Sequence, residues 1–318
     1  RPCPLQPALL GGRLAVAPCW CTASSTMGQA MRPASAPQPA RSPLLPGQLP
    51  DELRRRLLAS LPGDEDGLVA LGFEECVDHQ RVPGHRYFEG FFHAVSGAHG
   101  TVVPSVHPRY GCELERQPAP LPLAAFCEGV RRANAPLFRA TERRLAKLQG
   151  AGPVAEAMRR GRHVADLSVQ VHWGDGICPE HVAWHIDAPN SYLHLALGLQ
   201  GRRALHRREY SRCPSEEAPE PEVLWQEEGA VYLSCPCTFP HAVQYPEVEW
   251  EGRIVAVQCR LLLSQEDLFG LGRSKPIDTD PRGGVATAVF RELAAFGELR
   301  LPSAQELAEL EAEVAAAR

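Results

Sequence analysis

The first fifty residues of this chain contain no aspartate or glutamate, and their only charged side chains are four arginines. The stretch is rich in Pro, Ala, Ser and Gly, a composition that buries too little apolar surface to offset the entropy lost on ordering. We therefore expect residues 1–50 to be a disordered leader. An arginine-bearing stretch without acids is also typical of organelle transit peptides, and a translated region upstream of Met27 is a second interpretation.

The chain also lacks an apolar run of about 20 residues, the length that a membrane-spanning helix needs. Its net charge of −5 and pI near 6.2 are not those of the basic proteins that coat nucleic-acid backbones. Eleven cysteines occur without a repeated CxxC spacing, and no secretory signal precedes them, so reduced thiols are expected. These absences predict a soluble intracellular protein, cytoplasmic or organellar, without a membrane role, and the acidic charge disfavours alkylated nucleic acid as a substrate without excluding it.

Beyond the leader the composition becomes that of a globular domain, which we place at residues 51–318. Leucines at helical spacing predict a short helix in DELRRRLLASLP, and two helices that meet near Pro136 are predicted further along. Helical periodicity returns at residues 284–318, where Ser303 and Glu306 have the spacing of a capping box. The helices are expected to flank a β core.

That β core is predicted at about residues 166–263, where the apolar period changes from helical to strand-like. Turn residues divide the region into eight candidate strands. These strands span residues 167–173, 181–187, 191–199, 203–208, 222–226, 230–235, 241–245 and 253–263. Because no long helix interrupts the series, a closed or sandwiched β architecture is favoured over a parallel α/β sheet. The fold class is therefore α+β.

One triplet in this region, His185-Ile186-Asp187, suggests a metal site. Residues i and i+2 of a strand point to the same side, so His185 and Asp187 can aim two ligands at one ion. His241, at the start of a later strand, is the candidate for a third ligand. Two imidazoles and one carboxylate suit Fe(II), because they leave coordination positions open. Arg253 begins the next strand, where a buried guanidinium would need a carboxylate or another anion.

Two other interpretations compete with an iron site. His181 and His185 are four residues apart, as in helical zinc sites, but the zinc-hydrolase motif has Glu directly after its first His, and Val182 stands there. The second alternative is a non-catalytic cupin-like or jelly-roll module that binds a metal or ligand, since one fold carries many functions. The triplet alone could also arise by chance in a chain with twelve histidines.

Taken together and in order, His185-x-Asp187, His241 and Arg253 across eight predicted strands resemble the pattern of the 2-oxoglutarate and Fe(II)-dependent dioxygenase superfamily. Within it, LHLALGLQGRRALHRR, VLWQEEGAVYLSC and FPHAVQ are similar in layout to the alkylation-repair demethylases and, less closely, to prolyl hydroxylases. The resemblance covers residues 166–263. It implies a double-stranded β-helix (jelly-roll) core flanked by helices.

The resemblance also implies an activity and a set of site residues. The chain would hydroxylate or oxidatively demethylate an unidentified substrate, a protein side chain or small molecule, with release of succinate and CO2. His185, Asp187 and His241 would bind Fe(II), and Arg253 would pair with the distal carboxylate of the co-substrate 2-oxoglutarate. Many members have Ser or Thr two positions after this arginine, where Val255 stands here, so Arg260 is the alternative partner.

Overall fold

A computed structural model of the chain contains helices and predominantly antiparallel sheets, which confirms an α+β fold. The described residues are 44–76, 86–94, 105–106, 113–114, 117–149, 163–173, 182–185, 191–208, 220–236, 239–244, 253–263 and 292–317. The helices among them are α1 Asp51–Ala59, α2 Glu65–Ala70, α3 Leu121–Ala133, α4 Ala135–Gln149 and α5 Ala304–Ala317, with a short helical segment at 292–296.

The strands divide into a short N-terminal group and a longer C-terminal series. The first group is β1 Leu45–Gln48, β2 Glu74–Glu75, β3 Arg86–Ala94, β4 Ser105–Val106, β5 Glu113–Leu114 and β6 Gln117–Pro118. The series is β7 His163–Trp173, β8 Val182–His185, β9 Ser191–Gln200, β10 Arg203–Arg207, β11 Glu222–Gln226, β12 Ala230–Ser234, β13 His241–Gln244 and β14 Arg253–Leu263. All eight strands predicted from the sequence are present.

The series from β7 to β14 is shared between two sheets. The larger sheet has the order β1-β12-β9-β14-β7-β3-β2, with β6 paired to β3, and the smaller sheet has the order β11-β10-β13-β8. Along the chain, the first, third, sixth and eighth strands of the series therefore lie in the larger sheet, and the other four lie in the smaller one. Because successive strands mostly change sheet, residues distant in sequence become neighbours across the interior.

The two faces of the larger sheet have different surroundings. On β14, Val255, Val257 and Cys259 belong to the main core, which also contains buried side chains of α1 and α3. Ile254, on the alternate side of the same strand, packs with Leu205 and Val243 of the smaller sheet. We call the sides of the two sheets that face each other their inner faces, and the sides turned away their outer faces.

Helix ends near the C-terminus are fixed by specific hydrogen bonds. The Ser303 backbone N–H donates to Glu306 Oε2 at 2.7 Å, and the Glu306 N–H donates to Ser303 Oγ at 3.2 Å, which confirms the predicted capping box. The Ser303 backbone N–H lowers the pKa of the Glu306 carboxyl.

The predicted break near Pro136 is also confirmed: Asn134 separates α3 from α4 and bonds the backbone of Arg300. None of the described helices combines the length and hydrophobicity that a membrane crossing requires.

The predicted leader boundary needs a correction, because residues 45–48 are ordered. They form β1, which pairs antiparallel with β12 from Leu45↔Leu233 to Gln48↔Ala230, and Leu45 is buried in the main core. The sequence pattern missed this strand because LPGQ contains Pro and Gly, which are tolerated at a sheet edge and disfavoured inside one. The remainder of the predicted leader, residues 1–43, lies outside the described residues.

Gly198 offers a test of how β9 approaches the β11–β12 turn. A Cβ built on Gly198 would lie 2.6 Å from the Glu227 carbonyl oxygen, whereas one on Gly63 would meet nothing within 4 Å. We expect Gly198→Ala to lower the free energy of unfolding by about 1–3 kcal/mol, because backbone atoms must move to admit the methyl group. Gly63→Ala is the matched control and should leave stability unchanged or slightly raised. Chemical denaturation measures both, and equal midpoints for the two variants would contradict this packing.

Candidate metal site and buried interior

Two histidines face each other on neighbouring strands of the smaller sheet. His185 ends β8 and His241 begins β13, and the two are Cα partners in the antiparallel register. Their ring centroids are 4.2 Å apart with an interplanar angle of 52°. His241 is buried and His185 is half-buried. His241 and Val243 are two residues apart on β13, so they point to the same side, and Val243 packs against the larger sheet. Both imidazoles therefore lie on the inner face.

The backbone beside His241 orients its ring. His241 Nδ1 lies 3.3 Å from the Phe239 carbonyl oxygen. A carbonyl only accepts, so Nδ1–H is the donor in this hydrogen bond, and in a neutral ring the lone pair is then on Nε2. Ligating histidines are commonly held in this way, with one nitrogen bonded to a carbonyl and the other on the metal. The donor set therefore fits a transition-metal ion with nitrogen ligands.

The third predicted ligand, Asp187, lies outside the described residues, as does His181. In the part of the chain that is described, no group of three His, Cys, Asp or Glu side chains is arranged to hold a metal ion. The structure thus brings two of the three predicted ligands together. The role of Asp187 stays a prediction.

The inner face of the larger sheet is unusually polar for the interior of a β sandwich. Glu89 on β3 is buried, and its Oε1 accepts from Ser168 Oγ at 2.8 Å and from Gln170 Nε2 at 3.4 Å. Gln170 Oε1 in turn accepts from Gln258 Nε2 at 3.3 Å. Buried polar groups cost free energy unless they are hydrogen-bonded. A network of this kind indicates a site rather than plain core packing.

Arg203 connects this network to the smaller sheet. It begins β10, is only 3% exposed, and donates from Nη1 to Gln170 Oε1 and from Nε to Gln226 Oε1, both at 2.6 Å. Among the described residues, no carboxylate lies within ion-pair distance of its guanidinium. Two neutral amides orient this cation but do not balance its charge. A buried guanidinium without a carboxylate is suited to bind an anionic ligand.

The two arginines singled out from the sequence lie on opposite faces of β14. Arg253 points to the same side of β14 as Val255, so it lies on the outer face. There it donates to Gln200 Oε1 at 3.0 Å and to the Pro62 carbonyl at 2.6 Å. Burial lowers the pKa of its guanidinium. Arg260 points to the same side of β14 as the buried Gln258, which is the inner face. It donates from Nη2 to Gln258 Oε1 at 3.2 Å. Of the two, the geometry favours Arg260 for a role in the interior.

Sequence reasoning missed Arg203 and the polar residues around it. A usable signal was present, since Arg203 and Leu205 are two residues apart in a predicted strand that follows Gly201 and so share one side of it. In a half-buried strand, an arginine in register with an apolar residue is expected to point inward. Glu89 could not be found in this way, because the pairing of β3 with β7 is not visible in the local pattern.

No family model and no curated protein matches this chain. Similar solved structures include a 2OG-Fe(II) oxygenase family oxidoreductase from Burkholderia pseudomallei, with 11% identity and a TM-score of 0.35 over 65% of this chain and 77% of that one. A Pseudomonas putida prolyl-4-hydroxylase has 11% identity and a TM-score of 0.32, over 70% and 94%. A putative oxygenase from Shewanella oneidensis has 12% identity and a TM-score of 0.37, over 78% and 87%.

The printed names of these three proteins are those of oxygenases and a hydroxylase. At such identities and TM-scores, however, the likeness carries no argument about activity. The assignment of a function therefore rests on the residues of this chain.

Proposed function

We propose that this chain is an Fe(II)- and 2-oxoglutarate-dependent dioxygenase. The observation that carries the proposal is the pairing of His185 with His241 on the inner face of the smaller sheet, bordering an interior that contains the buried cation Arg203. Facing imidazoles are suited to a transition metal, and a buried guanidinium is suited to a dicarboxylic co-substrate. One interior would then provide both parts of the site.

The strand arrangement supports a double-stranded β-helix for the core. Within the larger sheet, the strands of the β7–β14 series have the order β12-β9-β14-β7, and the smaller sheet has the order β11-β10-β13-β8. Eight antiparallel strands that alternate in this way between two facing sheets are the pattern of a jelly roll. In such a fold the interior between the sheets is the natural place for a ligand site.

We assign His185, His241 and Asp187 as the residues that would hold the metal. When bound, Fe(II) together with 2-oxoglutarate supplies the oxidation of a substrate C–H bond by dioxygen, with release of succinate and CO2. The chain itself orients the His241 ring through the Phe239 carbonyl. Leu205, Val243 and Ile254 form an apolar cluster in the same interior, and exclusion of water strengthens the electrostatic interactions there.

For the distal carboxylate of 2-oxoglutarate, we propose Arg203 as the partner in place of Arg253. Arg203 lies between the sheets and its two described hydrogen bonds go to neutral amides, whereas Arg253 lies on the outer face and bonds Gln200 and the Pro62 carbonyl. The planar fork of a guanidinium matches a carboxylate in bidentate geometry. Arg260 is the second candidate, because it also lies on the inner face.

The substrate and compartment are proposals of the same kind. A protein side chain or a small molecule is the expected substrate, because a net charge of −5 disfavours a nucleic-acid polyanion. The described cysteines, Cys76, Cys127, Cys235 and Cys259, are free thiols, and this supports an intracellular location.

Purified protein mixed with Fe(II) and 2-oxoglutarate without oxygen should develop a visible charge-transfer band. Admission of oxygen should then produce succinate even without a second substrate, because such enzymes turn over slowly when uncoupled. The alternative candidate, a non-catalytic jelly-roll module, would bind the metal and yield neither the band nor succinate. That outcome, with stoichiometric iron verified by metal analysis, would overturn the proposed activity.

A further inference from the structure

The outer face of the smaller sheet exposes large apolar side chains. Trp184 is 37% exposed, Val223 42% and Trp225 48%, and the only other large apolar side chain this exposed among the described residues is Val69 on α2. Trp184 precedes the inward-facing His185, while Val223 and Trp225 alternate with the inward Leu224 and Gln226. The three exposed side chains therefore share one face of a four-stranded sheet, with Trp184 on one edge strand and Val223 and Trp225 on the other.

Each tryptophan on this face is stacked with an arginine. The Arg208 guanidinium carbon lies 4.3 Å from the Trp184 ring centroid, and that of Arg202 lies 5.0 Å from the Trp225 ring centroid. Stacking of this kind holds a cation in a fixed position while leaving its N–H groups available. We call the surface formed by Trp184, Arg202, Arg208, Val223 and Trp225 the tryptophan face.

The charge of the tryptophan face is only partly balanced. Arg202 Nη1 lies 3.9 Å from Glu227 Oε1, a long and exposed ion pair that contributes little. Arg208 forms no ion pair with any described residue, and its buried Nε has no hydrogen-bond partner among them. In a chain of net charge −5, this face is a local region of positive charge. Singly exposed apolar residues are ordinary, but exposed aromatic side chains stacked with cations on one sheet face are typical of interaction sites.

We propose that the tryptophan face is a docking surface for an acidic, apolar segment of a protein partner. Carboxylates of the segment would accept from the stacked guanidinium groups of Arg202 and Arg208. Its apolar side chains would pack on Trp225 and Val223, where aromatic anchors dominate interface energetics. Because the face lies on the opposite side of the strands from His185 and His241, docking there does not depend on the proposed oxidation chemistry.

Single-stranded nucleic acid fits this surface less well than a peptide. Bases can stack on aromatic side chains, but affinity for a polyanion comes from neutralising several phosphates. The tryptophan face supplies two arginines, one of them beside Glu227. The acidic character of the whole chain would also repel an extended polyanion more than a short acidic peptide.

The test uses a fluorescein-labelled peptide of alternating glutamate and leucine, with fluorescence anisotropy as the measure of binding to the full chain. We expect saturable binding, weakened by about tenfold or more in Arg208→Glu, since a hydrogen-bonded charge contact is replaced by repulsion. Trp225→Ala should weaken binding without changing net charge. Arg139→Glu on the exposed side of α4 and Val69→Ala on α2 are the matched controls, and thermal melts of all variants verify folding.

Several results would overturn this assignment. One is the absence of saturable peptide binding, and another is an equal loss of binding in Arg139→Glu and Arg208→Glu. A uridine oligonucleotide that binds more tightly than the peptide, and is released by Arg208→Glu, would instead assign the face to nucleic acid. A dimer in sedimentation that dissociates in Trp225→Ala would assign it to a second copy of the chain.

Discussion

Replacement of His241 with alanine is expected to remove iron from the site and to lower succinate formation by more than about a hundredfold. Changes that merely disturb the surroundings of a metal ligand already cost about 10- to 100-fold, and His241 would be a ligand itself. His185→Ala and Asp187→Ala should have the same effect, because three ligands hold the ion. Metal analysis of the purified variants and a succinate assay at saturating 2-oxoglutarate make the measurement.

His206→Ala is the matched control for these variants. His206 belongs to the same sheet and lies between Leu205 and Arg207, whose side chains point to the other side of the strand. Burial lowers the pKa of its imidazole. It lies on the outer face, so its loss should leave iron content and succinate formation unchanged. If a His241→Ala protein that is verified to be metal-free still forms succinate, the proposed chemistry is wrong. If only Asp187→Ala retains both metal and activity, the third ligand lies elsewhere.

Arg203→Met is expected to raise the KM for 2-oxoglutarate by a factor equivalent to about 2–5 kcal/mol, the range for losing one partner of a buried charge pair. Methionine preserves much of the apolar volume while removing the charge. The thermal stability of the protein without 2-oxoglutarate should change little, because removal of a buried cation with no carboxylate among the described residues offsets the loss of its hydrogen bonds to Gln170 and Gln226. Arg203→Lys should recover part of the affinity, since it restores charge without the bidentate fork.

Two arginine variants distinguish this assignment from the one inferred from the sequence. Arg253→Met should lower thermal stability, because it removes the bonds to Gln200 and the Pro62 carbonyl, and should leave the KM for 2-oxoglutarate unchanged. Arg260→Met tests the other inner-face cation. A raised KM in Arg253→Met with a normal KM in Arg203→Met would show that Arg253 pairs with 2-oxoglutarate, as inferred from the sequence. The Arg203 network would then be structural.

The sequence was sufficient for the strands from β7 to β14 and insufficient for the orientation of particular side chains. Alternating apolar residues and turn chemistry located all eight strands from β7 to β14, because half-buried strands carry a period of two. Which side of a strand faces the interior depends on its neighbours, and this is why Arg253 could be predicted at the head of β14 without its outward orientation. The motif spacing predicted that His185 and His241 lie near each other, and their ring centroids are 4.2 Å apart; their role as metal ligands stays a prediction.

Tertiary contacts from distant segments account for what the sequence pattern missed. The β1 strand contains Pro and Gly and is held by pairing with β12, nearly two hundred residues away in sequence. Glu89 enters the interior only because β3 extends the larger sheet beside β7. Neither pairing has a local signature, since each joins strands that are far apart in sequence.

The position of β14 has a consequence for how the chain can fold. Among the described residues it is the last strand in sequence, yet it lies between β7 and β9 and pairs with both along most of its length. A nascent or truncated chain that ends before Arg253 therefore leaves the facing edges of β7 and β9 without their shared partner, and such edges promote aggregation. Folding is also slowed because long loops must close before the contacts that stabilise them can form. Acquisition of the native core is thus expected to be a late, cooperative event that awaits synthesis of residue 263.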